Sequence, residues 1–225
     1  MKKLFLALFL GVLTFSCSSD DSSEPSLSNT PEAKVAYDNS NYGIYKGVFV
    51  GSSGTVLINI NNDGEVFAEL NIDGNSSTYT TTETVTQGTE TYLTFTNGSS
   101  HFEFYVNATG DSAQAYDIEI SGHPNANIYV IKELSTSLVE CFKGSFNGDN
   151  SGSFNIIVSN GEIAGLAKLN SSEVSTILYG EVTNDVIVGS FDGGLFTGTR
   201  NGNSVSGSWV NSASENGNWS GTRKL

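Results

Sequence analysis

From Tyr42 onward the chain alternates apolar and polar residues with a period of two, and Gly, Asn and Asp interrupt the alternation at short intervals. Successive side chains of a strand point to opposite faces, so this pattern predicts short antiparallel strands joined by hairpins. In His101-Phe102-Glu103-Phe104-Tyr105-Val106, Phe102, Phe104 and Val106 face one way and His101, Glu103 and Tyr105 the other. The preceding Tyr92-Leu93-Thr94-Phe95-Thr96 turns Leu93 and Phe95 inward and Tyr92, Thr94 and Thr96 outward. Asn97-Gly98 turns the chain between them. A two-residue Asn-Gly turn pairs Tyr92 with Glu103, whereas a four-residue loop pairs Tyr92 with Tyr105. No helical periodicity of useful length is present; the patch around residues 33–37 has room for one brief helical turn.

The alternation is written twice. Tyr45-Lys46-Gly47-Val48-Phe49-Val50-Gly51 followed by Gly54-Thr55-Val56 matches Phe142-Lys143-Gly144-Ser145-Phe146-Asn147-Gly148 followed by Gly152-Ser153-Phe154, and Asn62-Asp63-Gly64-Glu65-Val66 continues against Asn160-Gly161-Glu162-Ile163. Two halves, residues 42–133 and 139–225, are therefore expected to share a fold, joined by residues 133–138. With strand starts about 10 residues apart, each half has room for about eight strands of ordinary length. In the second half Gly144 and Phe146, Gly189 and Phe191, Gly207 and Trp209, and Gly217 and Trp219 stand two apart, so each glycine shares a face with a ring. A small residue beside a large one relieves crowding inside a narrow, strongly curved sheet, which places Trp209 and Trp219 in the core. The predicted class is all-β, an antiparallel meander of two related halves, barrel-like or sandwich. Its rhythm resembles up-and-down barrels of the lipocalin or avidin type; one long sandwich made from both halves is the rival.

Composition narrows the function classes. The 225 residues carry a formal charge of -14, and with Lys2 and Lys3 removed 8 basic residues face 24 acidic ones. Such a surface repels phosphate backbones, so no nucleic-acid partner is expected. Charged residues are only 15% of the chain while glycine numbers 25, a balance that favours turns and short strands.

At the amino terminus Lys2 and Lys3 precede an apolar run over residues 4–12, shorter than the roughly 20 residues of a membrane span. Small Ser16 precedes Cys17, and Ser18-Ser19-Asp20-Asp21 follows it. These residues resemble a bacterial lipoprotein signal with the acidic start of surface-exported lipoproteins of the Bacteroidota, although Thr14 stands where the lipoprotein box usually has Leu. The resemblance implies a signal peptide over residues 1–16, diacylglyceryl attachment at Cys17, and an outer-membrane or cell-surface location with the membrane engaged through the N-terminal lipid. Residues 17–41, rich in Ser, Asp, Asn and Glu and holding Pro25 and Pro31, read as a disordered tether with a reach of roughly 25–30 Å. With Cys17 carrying lipid, Cys141 is left alone, and its neighbours Val139 and Phe142 predict a buried, inert thiol.

Chemistry is sparse. The chain has no nucleophile elbow, no Cys-x-x-Cys, no His-Glu-x-x-His and no phosphate-cradling glycine loop, so no catalytic residue, metal ligand or cofactor is named. His123, in Gly122-His123-Pro124-Asn125, reads as a solvated turn residue. The outward face of Tyr92, His101, Glu103 and Tyr105 is the candidate ligand-binding set, suited to stacking and hydrogen bonding a sugar. The expectation is a non-catalytic surface protein that binds a glycan or another surface protein. A structural or adhesive role is the alternative, and a polysaccharide hydrolase using Glu103 with a second carboxylate is more distant.

Overall fold

The computed structural model describes residues 27–225 apart from Gly51 and Glu173, so the signal segment and Cys17 lie outside the described residues. The first half consists of β1 (Gly43–Val50), β2 (Gly54–Ile60), β3 (Val66–Ile72), β4 (Asn75–Thr80), β5 (Thr91–Asn97), β6 (Ser100–Val106), β7 (Gln114–Glu119) and β8 (Asn127–Lys132). The second consists of β9 (Val139–Gly148), β10 (Gly152–Ser159), β11 (Glu162–Leu169), β12 (Ser175–Thr183), β13 (Val186–Phe191), β14 (Gly194–Asn201), β15 (Ser204–Asn211) and β16 (Asn216–Arg223). All the pairings are antiparallel. The expected all-β meander of two related halves is what the described residues form, the second half a closed barrel and the first a nearly closed one, rather than two layers of a shared sandwich.

The halves close differently. In the second, β9 pairs with both β10 and β16, which laces the barrel all round. In the first, the strands run β7-β6-β5-β4-β3-β2-β1-β8, leaving β7 and β8 as unlaced neighbours. The β4–β5 ladder there is reduced to Thr80 opposite Thr96, because the strand ends at Thr80 and residues 81–86 run on without regular structure. The repeat persists in the register: Gly47 faces Val56 across β1–β2, and Gly144 faces Phe154 at the equivalent place in β9–β10.

Inward positions of the first barrel are filled. Tyr45, Phe49, Val56, Ile58, Leu70, Phe95, Phe102 and Phe104 interlock in one cluster without solvent exposure. Tyr45 donates its hydroxyl to the Asn41 carbonyl at 2.7 Å, and burial pushes its pKa far above the ordinary phenol value. At one end Lys132 Nζ donates to the carbonyl oxygens of Tyr37 and Ser40 and lies 5.7 Å from the centre of the Tyr45 ring. Desolvation there lowers the Lys132 pKa to about 8, against the opposing pull of Asp38 and Asp111.

The barrels pack side by side through the outer faces of β1, β9 and β10. Val48, Val139, Cys141 and Ile157 form the apolar part of that junction, and burial raises the Cys141 thiol to about 12. Beside it Lys46, only 1% exposed, donates to Glu133 at 2.8 Å and pairs with Glu32 at 2.9 Å. Glu133, 0% exposed, also accepts the backbone N–H groups of Val139 and Glu32. Asn155 on β10 donates to the Phe49 and Ser52 carbonyls across the same seam.

The tether expected over residues 17–41 needs correction at its carboxy-terminal end. Residues 28–41 are pinned to the body: Arg223 donates to the Ser28 carbonyl and the Asn29 side chain. Asn62 bridges Lys34 and Glu32, and Asp38 accepts both the N–H and the hydroxyl of Ser135. Val35–Tyr37 forms a single 3-10 turn within this strap. These hydrogen bonds order a segment that has little apolar area to bury.

Candidate functional site

The tyrosine face is assembled by β5, β6 and β7. Tyr92 stands opposite Tyr105, Thr94 opposite Glu103 and Thr96 opposite His101. This is the register expected of a longer loop, reached by a tighter one: Asn97 pairs with Ser100, leaving Gly98-Ser99 as a two-residue turn with Gly98 at φ 60°. A glycine at the first central position suits a primed hairpin turn. The Tyr92 and Tyr105 rings lie 4.9 Å apart at 41°, and Tyr92 is 59% exposed. Tyr105 donates to Glu90 at 3.4 Å.

Glu103 and His101 find different partners. Glu103 faces Tyr116 across β6–β7; partial burial, then the hydrogen bond to Glu103, hold the Tyr116 phenol above its ordinary value. His101 approaches Asp117 at 3.6 Å and Glu119 at 4.0 Å. A break in the β6–β7 register creates this proximity, with Asp117 at φ 47° in the displaced stretch. One ligand atom from each of His101, Asp117 and Glu119 lies within 4.8 Å of the others, so these three could share a divalent ion on an open surface. The face thus divides into a tyrosine pair, a Glu103–Tyr116 pair and a histidine between carboxylates. It does not unite Tyr92, His101, Glu103 and Tyr105 around one point. His123 is tied to the body as well, its Nδ1 hydrogen-bonded to the Ser52 hydroxyl and 4.0 Å from Asp73, rather than free in a solvated turn.

A more concave site lies in the second barrel. Its inward positions alternate rings with glycines: Phe142, Gly144 and Phe146 on β9, Gly217, Trp219 and Gly221 on β16, and Gly207 and Trp209 on β15. The sequence pattern placed ring and glycine on the same strand; the stacking itself runs across strands. Phe154 covers Gly144, Phe196 covers Gly189 and Trp209 lies on Gly217, each facing its glycine directly in the ladder. Such rings lie flat over bare backbone and leave the barrel axis partly empty.

The resulting cup has a volume of about 410 Å³ and is walled by Phe146, Phe154, Ile156, Leu178, Phe191, Phe196, Trp209 and Trp219. Edge-to-face pairs fix the walls: Phe146 with Trp209 at 6.2 Å, Phe154 with Trp219 at 5.8 Å and Phe196 with Trp219 at 6.0 Å. Both indole N–H groups are engaged, Trp209 with the Asn147 carbonyl and Trp219 with the Ser208 carbonyl, so the tryptophans offer the cup only carbon surface.

Arg200 and Glu140 stopper the opposite end of the barrel. Arg200 forks onto Glu140 at 2.6 and 2.7 Å, lies 5.9 Å from the Phe142 ring centre, and shares Glu140 with Arg223 at 3.2 Å. The mouth is formed by Asn150, Asp192, Gly193, Asn211, Ser212 and Glu215, from the β9–β10, β13–β14 and β15–β16 turns. An apolar hollow of this size with a few polar groups at one end is the usual form of a small-molecule site.

The glycine and ring spacing of the second half is the sequence signal for this cup, and by itself it points to a core. Both readings describe Trp209 and Trp219, which are buried and also wall the hollow. No protein-family model, curated protein or solved structure matches the chain.

Proposed function

We propose that the protein is a lipid-anchored outer-membrane or cell-surface binding protein without catalytic activity, and that the open second barrel is its ligand seat. The observation that carries the binding role is the contrast between two barrels built on one repeat, the first packed solid and the second keeping a ring-walled hollow of about 410 Å³ with an open mouth. A hollow costs cohesion that a filled core would supply, so its retention beside a filled copy supports a binding role. The surface placement rests on Cys17 and the residues around it; mass spectrometry of the native amino terminus is expected to find an acylated Cys17, and a free thiol there would remove the anchor.

The cup supplies its own test. The chain has 2 tryptophans, and both wall the hollow, so the tryptophan emission of the whole protein reports on this one place. Titration with an uncharged apolar dye such as Nile red is expected to quench that emission saturably at one dye per chain. Ala167→Phe, and separately Thr176→Phe, put a ring into the hollow and are expected to abolish the quenching while the fold persists by circular dichroism. Dye binding that is unsaturable, or unchanged in both filled variants, would overturn the seat.

One observation favours a second reading, in which the exposed, paired Tyr92 and Tyr105 rings stack against a glycan. Glycan binding that is lost in Tyr92→Ala and retained in Ala167→Phe would establish that reading.

A further inference from the structure

The mouth of the second barrel says what kind of molecule its cup would take, and this step rests on the cup being a ligand seat. Six rings and the aliphatic side chains between them wall the interior, so the body of the ligand is apolar and bulky. The charge at the opening has one sign. Asp192 and Glu215 border it, and among the described residues no lysine or arginine lines it. Arg200 and Arg223 are held at the stoppered end by Glu140.

The amides at the mouth do not offset this. Asn150 and Asn211 both turn their nitrogens to one Glu215 oxygen, at 2.8 and 2.7 Å, which fixes that carboxylate in place. The Asn211 oxygen is taken by the N–H groups of Ala213 and Glu215, each at 3.0 Å. What the mouth turns toward a ligand includes two carboxylates, one of them held rigid, the Asn150 amide oxygen, and the Ser212 and Thr176 hydroxyls. Beneath them lie aromatic faces, which attract cations and repel anions. A whole-chain charge of -14 acts in the same direction.

We infer that the cup selects a cationic amphiphile, an amine or ammonium group on a compact apolar body, with the cation at Asp192 and Glu215 and the body against Phe154, Phe196, Trp209 and Trp219. A fatty acid or other apolar anion is excluded by the same charges, because its carboxylate would enter an acidic mouth without a partner.

Three probes of one shape separate charge from shape: 1-aminoadamantane, 1-adamantanol and adamantane-1-carboxylate, titrated into the full chain at pH 7 and followed by tryptophan emission and calorimetry. The amine is expected to bind at least tenfold more tightly than the alcohol and at least a hundredfold more tightly than the carboxylate. The preference should shrink as salt rises. Asp192→Asn with Glu215→Gln is expected to bring the amine-to-alcohol ratio close to one, while Glu162→Gln, at the stoppered end, leaves the ratio as it was. Equal binding of amine and alcohol, or binding of the carboxylate as tight as either, would refute the cationic class and leave the cup standing as a seat for neutral molecules. Failure of all three to bind would remove the class and the seat together.

Discussion

Glu133→Ala is expected to destabilise the protein by about 3–5 kcal/mol, the usual cost of stripping one partner from a buried ion pair. The carboxylate has no solvent exposure, and each of its oxygens is used. One accepts Lys46 Nζ at 2.8 Å and the Val139 N–H at 2.9 Å, and the other accepts the Glu32 N–H at 2.7 Å. Alanine leaves the Lys46 ammonium buried with only the half-exposed Glu32 carboxylate, and frees two backbone donors on either side of the junction. Because Glu133 joins β8 to β9 and holds the amino-terminal strap, the loss should fall on the seam between barrels as well as on global stability. Urea unfolding with limited proteolysis measures both; cleavage within residues 28–41 should accelerate most. Lys46→Met combined with Glu133→Leu removes both charges and should recover part of the loss, since a buried pair replaced by apolar groups of similar size is often tolerated. A Glu133→Ala protein within about 0.5 kcal/mol of the parent, the scatter of ordinary surface substitutions, would contradict this account of the junction.

Gly207→Ala carries the second large effect. Gly207 faces Gly198 on β14 and Trp219 on β16. A Cβ added there would fall inside the van der Waals envelope of the Thr197 carbonyl and 2.6 Å from the Gly198 Cα. Both obstacles are backbone, so no side-chain rotation relieves them and the β14–β15 ladder must spread. Overpacking ordinarily costs roughly 1–3 kcal/mol, and a closed barrel that must open its ladder belongs at or above the upper end. Ser206→Ala, on the outward face of the same strand, should stay within about 0.5 kcal/mol of the parent. Thermal unfolding followed by tryptophan emission distinguishes them, because Trp209 and Trp219 lie beside the strained ladder. Equal stability of the two variants would mean that close strand approach at the glycines is not what shapes this barrel.

The strand rhythm was legible because period-two alternation is a local property, and turn residues punctuate it. Phe102, Phe104, Leu93 and Phe95 point inward as their spacing requires. The duplicated stretch around Lys46 and Lys143 was legible for the same reason, yet the fates of those two lysines were not. Lys46 is buried because the second barrel leans on its face and because Glu133, 87 residues away in the link between β8 and β9, meets its ammonium there. Its counterpart Lys143 remains partly exposed on β9.

Composition misled at residues 28–41, since counting apolar area overlooks a strap secured by hydrogen bonds to Asn62, Glu133, Ser135 and Arg223. The proposed Tyr92, His101, Glu103 and Tyr105 face was correctly turned outward, but the altered register near Asp117, which divides it among different partners, leaves no mark in the spacing. The cup was half-visible. Glycines alternating with rings announced a tightly curved barrel. That Phe154, Phe196 and Trp209 would lie across neighbouring strands, leaving space above them, depends on ring orientation and cannot be counted from residue types.

The asymmetry between a filled barrel and a hollow one is the claim on which the binding role stands, and xenon tests it most directly, because the gas enters apolar cavities and finds no room in close-packed cores. A crystal of the protein pressurised with xenon is predicted to show anomalous density between Phe154, Phe196, Trp209 and Trp219, and none among Tyr45, Phe95, Phe102 and Phe104. A second barrel without xenon, its rings collapsed onto one another, would contradict the account.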